Sequence, residues 1–278
     1  MSSKIKFITA MDMLFLLLLA CSGSSTGLIS EMFYYLAFLV PVGITLNYIY
    51  KPDKNSHAST LEAKKDMLED LKKDFTISKE SALFTIPVIF PAISIILVSS
   101  IITSMLLGAF GFKNASVFNE PFVLALVTHA LLPAILEELL FRFVPIKLLS
   151  ENKRAAFVIS SVMFAFAHAN LFQIPYALIA GAIFSWLYIA TGSIIPSIIL
   201  HFLNNTVSLI SIYGCKASII LIALGILSAI SLVPAIIKRR LYKEKISEML
   251  KSEKISLSYY PLFFIGTSLI LAISALFT

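Results

Sequence analysis

"LLPAILEELLFRFVPIKLL" (131–149) is one of the most apolar stretches of the chain, yet Glu137, Glu138 and Arg142 stand in its middle. Near the centre of a membrane helix each such charge costs about 2.5–3.5 kcal/mol on the insertion scale, so three together need a reason. On a helix, residues four apart share a face, which lets Glu138 reach Arg142 and be neutralised by it. Glu137 projects about 100° away, on the face of Phe141, which offers no counter-charge. One carboxylate is tied to a guanidinium and the other is aimed elsewhere. An unpaired carboxylate in a low-dielectric site is suited to proton transfer near neutrality.

Composition explains where this stretch resides. Hydrophobic residues make up 58% of the 278, charged ones 14%, and mean hydropathy is +0.91. Average soluble domains are about a quarter charged, and this chain cannot coat a soluble core with polar surface. Apolar runs near 20 residues match a bilayer core of about 30 Å. The expectation is an all-α, polytopic transmembrane helix bundle of about eight to nine spans, integral to the membrane. The runs fall near 8–29, 32–50, 82–109, 121–149, 155–172, 174–191, 193–213, 217–237 and 259–277. Lys4 and Lys6 precede the first run, which reads as a retained span because it continues towards Ile29 and another follows at once.

Charge orients the bundle. With the N-terminus in the cytoplasm, the charged segment 51–80, "ENKR" (151–154) and the basic stretch 238–254 all lie inside, while the segments near 111–120 and 214–216 lie outside with one lysine each. The net charge of +6 is thus topological. No free basic domain with interleaved aromatics exists to bind nucleic acid. The organisation that follows is an N-terminal transmembrane pair (1–50), a charged cytoplasmic segment (51–80) with a short helix over the cytoplasmic face, a core bundle (81–237), a basic cytoplasmic loop (238–258) and a C-terminal span (259–278). Cys21 and Cys215 have no metal-ligand spacing and no disulfide framework.

Two further polar groups interrupt the spans. In "FAFAHAN" (164–170), Phe164 and His168 are four apart, so the ring can wall the imidazole from lipid. In "HFLNN" (201–205), His201 and Asn205 share a face and can point at one oxygen, as an oxyanion stabiliser requires. Asn204 faces away and needs only a helix contact, His129 reads as an interhelical hydrogen-bonding group, and Asp12 reads as interfacial.

These three groups, in this order, resemble the signature of the CAAX-protease and bacteriocin-processing family, which includes the Ras-converting enzymes and is also called the Abi family. The matches are "EELLFR" (137–142), "FAFAH" (164–168) and "HFLNN" (201–205), within roughly 123–209. The resemblance implies an intramembrane endopeptidase: Glu137 and His168 activating a water, His201 and Asn205 holding the oxyanion, Glu138 and Arg142 as a supporting ion pair, Phe164 beside the histidine. The implied substrate is a peptide or lipidated protein within the bilayer. No cofactor is expected, although zinc could bind through Glu137, His168 and His201. Two other readings compete: a non-catalytic immunity or scaffold protein of the same fold, and a proton-coupled transporter. The transporter reading lacks the two related halves common in such folds.

Overall fold

The computed structural model describes residues 2–25, 27–51, 60–112, 120–251 and 265, and no strand occurs among them. In chain order the helices are α1 (Ser2–Gly23), α2 (Gly27–Ile49), α3 (Thr60–Asp74) and α4 (Lys79–Ala109). A broken span follows, made of α5 (Phe122–Ala125), a π-helical turn (Leu126–Leu131), α6 (Leu132–Glu138), a second π turn (Leu139–Phe143) and α7 (Val144–Leu148). The chain continues with α8 (Lys153–Ala167), α9 (Ile174–Thr191), α10 (Ile195–Ile212), α11 (Ala217–Ile237) and α12 (Arg239–Leu250). Among the described residues, seven stretches are long and apolar enough to cross a bilayer: α1, α2, α4, the broken span, α9, α10 and α11. The protein is an integral, multi-pass membrane protein.

The expected run 155–172 becomes α8, a helix of only 15 residues. At about 1.5 Å per residue it is roughly 22 Å long, short of a full crossing. The expected span 259–277 lies outside the described residues, apart from Ile265 in isolation. The basic stretch expected as a loop from 238 is helical as α12. Its Tyr242 explains why: the ring packs on Phe84 and Trp186, and the hydroxyl donates to the Phe84 carbonyl at 2.8 Å.

One continuous apolar cluster joins α1 and α2 to the central helices. Ile5, Ile8 and Phe15 of α1 share it with Phe38 of α2, Phe84 and Ile93 of α4, and Phe164 of α8. Asp12, expected at the interface, sits in this packed layer at 3% exposure, and its Oδ2 has no hydrogen-bond partner among the described residues. The interfacial expectation fails because the surrounding face of α1, with Ile8, Met11 and Phe15, is the face turned to the bundle.

α8 and α9 approach most closely through small residues, the usual device for bringing membrane helices together. A Cβ built on Gly181 would lie 3.0 Å from the Ser161 carbonyl oxygen and 3.1 Å from its Cα, so any larger residue requires the Ser161 backbone to give by a few tenths of an ångström. Ser160 stands at the same crossing. Its hydroxyl bonds the Phe141 carbonyl and lies 2.8 Å from Ser185 Oγ, tying the broken span to both helices.

One end of the bundle gathers charge. Lys4 pairs with Glu151 at 3.0 Å, and Lys147 reaches Asp74 at 2.5 Å and Asp70 at 2.9 Å. Helix α3, predicted over the cytoplasmic face, docks here. Tyr50 donates to Asp70 at 2.5 Å, and Ser193 donates its hydroxyl to the Asp74 carbonyl at 2.9 Å. Burial pushes the Asp70 carboxyl up, but hydrogen bonds from Tyr50 and Lys147 outweigh it and leave Asp70 below the ordinary aspartate range. The more buried Asp74 is raised, since desolvation there exceeds the pull of Lys147.

Candidate active site

The two π turns bracket the segment that carries the acidic pair. A π turn inserts a residue into the helical ladder and recurs at functional sites. Here one ends just before α6 and the other begins straight after Glu138. The regular helix assumed from spacing is therefore interrupted twice, at His129 and at Arg142. Pro133 and Pro145, which lack a backbone donor, each stand within the first two residues after a π turn.

Glu137, His168, His201 and Asn205 line one cavity of about 830 Å³, formed by α4, the broken span, α8, α9 and α10 and the turn joining α8 to α9. Three separate helices thus deliver their polar groups to a common space. Glu137 is 18% exposed, into this cavity, whereas Glu138 and Arg142 are fully buried behind it. The expected pair is present: Arg142 Nη1 lies 3.3 Å from Glu138 Oε1. Arg142 also lies over the Phe164 ring, Cζ to centroid 3.7 Å, a cation–π contact worth about 2 kcal/mol when desolvated.

Phe164 does more than screen one histidine. Its ring meets His168 edge-on at 4.8 Å and His201 edge-on at 5.6 Å, so it separates the two imidazoles. On its other side, His201 stacks on Phe184 at 4.9 Å.

The two histidines are held by different acceptors. His168 Nδ1 lies 2.8 Å from the Phe164 carbonyl, which can only accept. That bond places the proton on Nδ1 and leaves Nε2 as the acceptor. The chain turns sharply just afterwards, with Ala169 at φ 44°, a left-handed value unusual for a residue with a Cβ. His201 Nδ1 lies 2.9 Å from Glu138 Oε1, and its Nε2 lies 3.7 Å from Glu137 Oε2. The supporting pair is in fact a triad of Glu138, Arg142 and His201. Spacing along the chain could not reveal the third member, because 63 residues separate Glu138 from His201.

Other lining residues escaped the sequence reading. Asn204 shares the cavity with Asn205, and its Nδ2 donates to the Asn205 Oδ1 at 3.5 Å. Its place three residues after His201, which also gives a shared helical face, was the available signal. Ser100 and Ser104 line the wall from α4 at i, i+4 spacing, and Gln173 and Tyr176 line it from the start of α9. His129 also lines the cavity and pairs with Glu120, at the entrance to its own span.

Among the described residues, no three His, Cys, Asp or Glu side chains form a group able to hold a metal. The Nδ1 atoms of both histidines are committed, to the Phe164 carbonyl and to Glu138.

Residues 119–207 match the family model described as Rce1-like, type II CAAX prenyl endopeptidase. These central helices are similar to that family. The match spans about a third of the chain and contains the broken span, α8, α9 and the first two-thirds of α10, with all seven motif residues. The Rce1-like family is a protease family, so peptidase activity is supported at that level. No curated protein and no solved structure matches the chain.

Proposed function

We propose that this Rce1-like protein is an intramembrane endopeptidase that hydrolyses a peptide bond of a membrane-associated or lipidated peptide. The observation that carries the reading is the shared cavity of Glu137, His168, His201 and Asn205. Glu137 is the exposed member of the acidic pair and takes the proton of a water as its oxygen attacks the carbonyl carbon. His168, with Nδ1–H donated to Phe164, offers Nε2 as the second acceptor that orients this water. The tetrahedral intermediate then collapses, the C–N bond breaks, and the proton held on Glu137 passes to the departing amine.

The oxyanion needs donors in place before charge develops. Asn205 supplies an amide N–H. His201, whose Nδ1 is held at 2.9 Å by Glu138 Oε1, supplies Nε2–H in its imidazolium form. Glu138, accepting from His201 and facing Arg142, is then a positioning residue for the oxyanion site.

The chemistry routes no step through a metal. Treating purified protein with a chelator leaves cleavage unchanged on this reading, and a loss reversed by added zinc would overturn it. The deciding experiment is Glu137→Gln, which keeps the side chain's shape and removes its basicity. Processing of a native substrate should stop while the protein inserts and accumulates normally. Unaltered processing would point to a non-catalytic binding protein or a carrier.

A further inference from the structure

We infer that Ser160 is a positioning residue for the proposed hydrolysis: its hydroxyl holds the Phe141 carbonyl at the second π turn and so sets Glu137 against His168. This rests on the endopeptidase reading and adds to it the group that aligns the two water-activating side chains.

The local sequence explains why this carbonyl needs an outside donor. In an α-helix the Phe141 carbonyl would accept the N–H of residue 145, and Pro145 has none to give. The ladder is already displaced there, since the Val144 N–H donates to the Leu139 carbonyl, five residues back. A buried carbonyl left without a donor costs about 1–3 kcal/mol. Ser160, fully buried on α8, supplies the hydroxyl that bonds it.

Proton counting assigns the donor. Each serine hydroxyl carries one proton, and a carbonyl oxygen can only accept. The Ser160 proton therefore goes to Phe141. Ser185, fully buried and 2.8 Å from Ser160 Oγ, has two acceptors of its own, Ser160 and the Gly181 carbonyl at 2.7 Å. Two hydroxyls share the crossing, and of the two it is Ser160 that bonds the broken span.

Glu137 and His168 belong to different elements, so their separation depends on how those elements cross. Ser160, Phe164 and His168 follow one another at four-residue spacing along α8 and its cap. The first meets the Phe141 carbonyl, the second lies against Arg142, and the third lines the cavity. Across the crossing, Phe141 stands four residues beyond Glu137 and next to Arg142. At about 1.5 Å per residue, the Ser160 bond is roughly 12 Å along α8 from His168 and roughly 6 Å along the broken span from Glu137. A slip at this bond is carried to both side chains, and a misplacement of about 1 Å at reacting groups can cost about 100-fold in rate.

Three variants of the intact chain test this with a quenched fluorogenic peptide ending in a prenylated CAAX sequence. Ser160→Ala should lower kcat, counted per folded molecule, by about 10–100-fold while KM stays at its wild-type value. Hydrogen exchange in detergent should quicken at the amides of 139–146 in the same variant. Ser185→Ala removes the neighbouring hydroxyl, leaves the Phe141 bond in place, and should keep wild-type turnover. Wild-type kcat or unchanged exchange in Ser160→Ala would overturn the inference. Equal losses of kcat in Ser160→Ala and Ser185→Ala would do the same, because they trace the effect to packing between α8 and α9. Undiminished cleavage by Glu137→Gln would sink the endopeptidase reading instead, and the exchange comparison, which reads no catalysis, still decides whether Ser160 holds the turn.

Discussion

Nδ1 of His201 lies 2.9 Å from Oε1 of Glu138, the oxygen that Arg142 approaches at 3.3 Å. One fully buried carboxylate oxygen thus links an imidazole on α10 to a guanidinium on the broken span. Glu137, its neighbour in sequence, faces open space in the cavity. Two adjacent glutamates thus have different surroundings, one walled in and the other open to the cavity.

Glu137→Gln and His168→Ala are expected to lower turnover by about 10²–10⁴-fold, the usual range for a general base. Both proteins should appear in the membrane at wild-type amounts. Single-turnover cleavage of a native substrate, normalised to protein inserted, checks this.

Asn205→Ala should lower kcat by about 10²–10³-fold with little change in KM, since its bond strengthens only as the oxyanion forms. A rise in KM at constant kcat would assign Asn205 to ground-state binding.

Glu138→Ala and Arg142→Ala each strand a buried charge, a loss on the order of 3–5 kcal/mol. The expected phenotype is reduced abundance and a lower unfolding temperature in detergent. The double variant should recover part of the stability lost by either single one, because it leaves neither of these two charges alone.

Gly181→Ala forces a methyl group against the Ser161 backbone, where the separation would be 3.0 Å. Overpacking of this kind costs about 1–3 kcal/mol. Because α8 ends at His168, its displacement should also reduce activity per folded molecule, which activity measured against thermal stability will separate from simple unfolding.

Helix α3 should respond to pH through Asp70. A carboxyl held below its ordinary value favours docking at pH above about 4, and that contribution disappears as the pH falls through the lowered value. Asp74, raised by burial, acts with the opposite sign: its ionised form costs docking at neutral pH, and the cost is relieved on acidification. Hydrogen exchange of the α3 amides should therefore stay slow down to about pH 4 and rise below it. Asp70→Asn should loosen α3 at neutral pH, whereas Asp74→Asn should not.

The membrane class, seven of the nine expected crossings, and the four lining residues were legible because each depends on local pattern. Hydropathy marks a span, and helical spacing marks a face. The partnership of Glu138 with His201 was not legible, since it arises from which helices become neighbours. Nor were the π turns, because no local composition announces an extra residue in a helical ladder. The burial of Asp12 was misread for a related reason: position along a span gives depth, but not which way the side chain turns.

The twice-interrupted ladder of the broken span carries a lesson for sequence change. Removing one residue from 139–143 would let that coil relax to ordinary pitch, swinging everything beyond it, Lys147 included, around the axis relative to Glu137. The distance spanned would barely alter, yet the cytoplasmic fastening and the acidic pair could no longer both keep their present bearings. In this segment, insertions and deletions act as rotations before they act as changes of length.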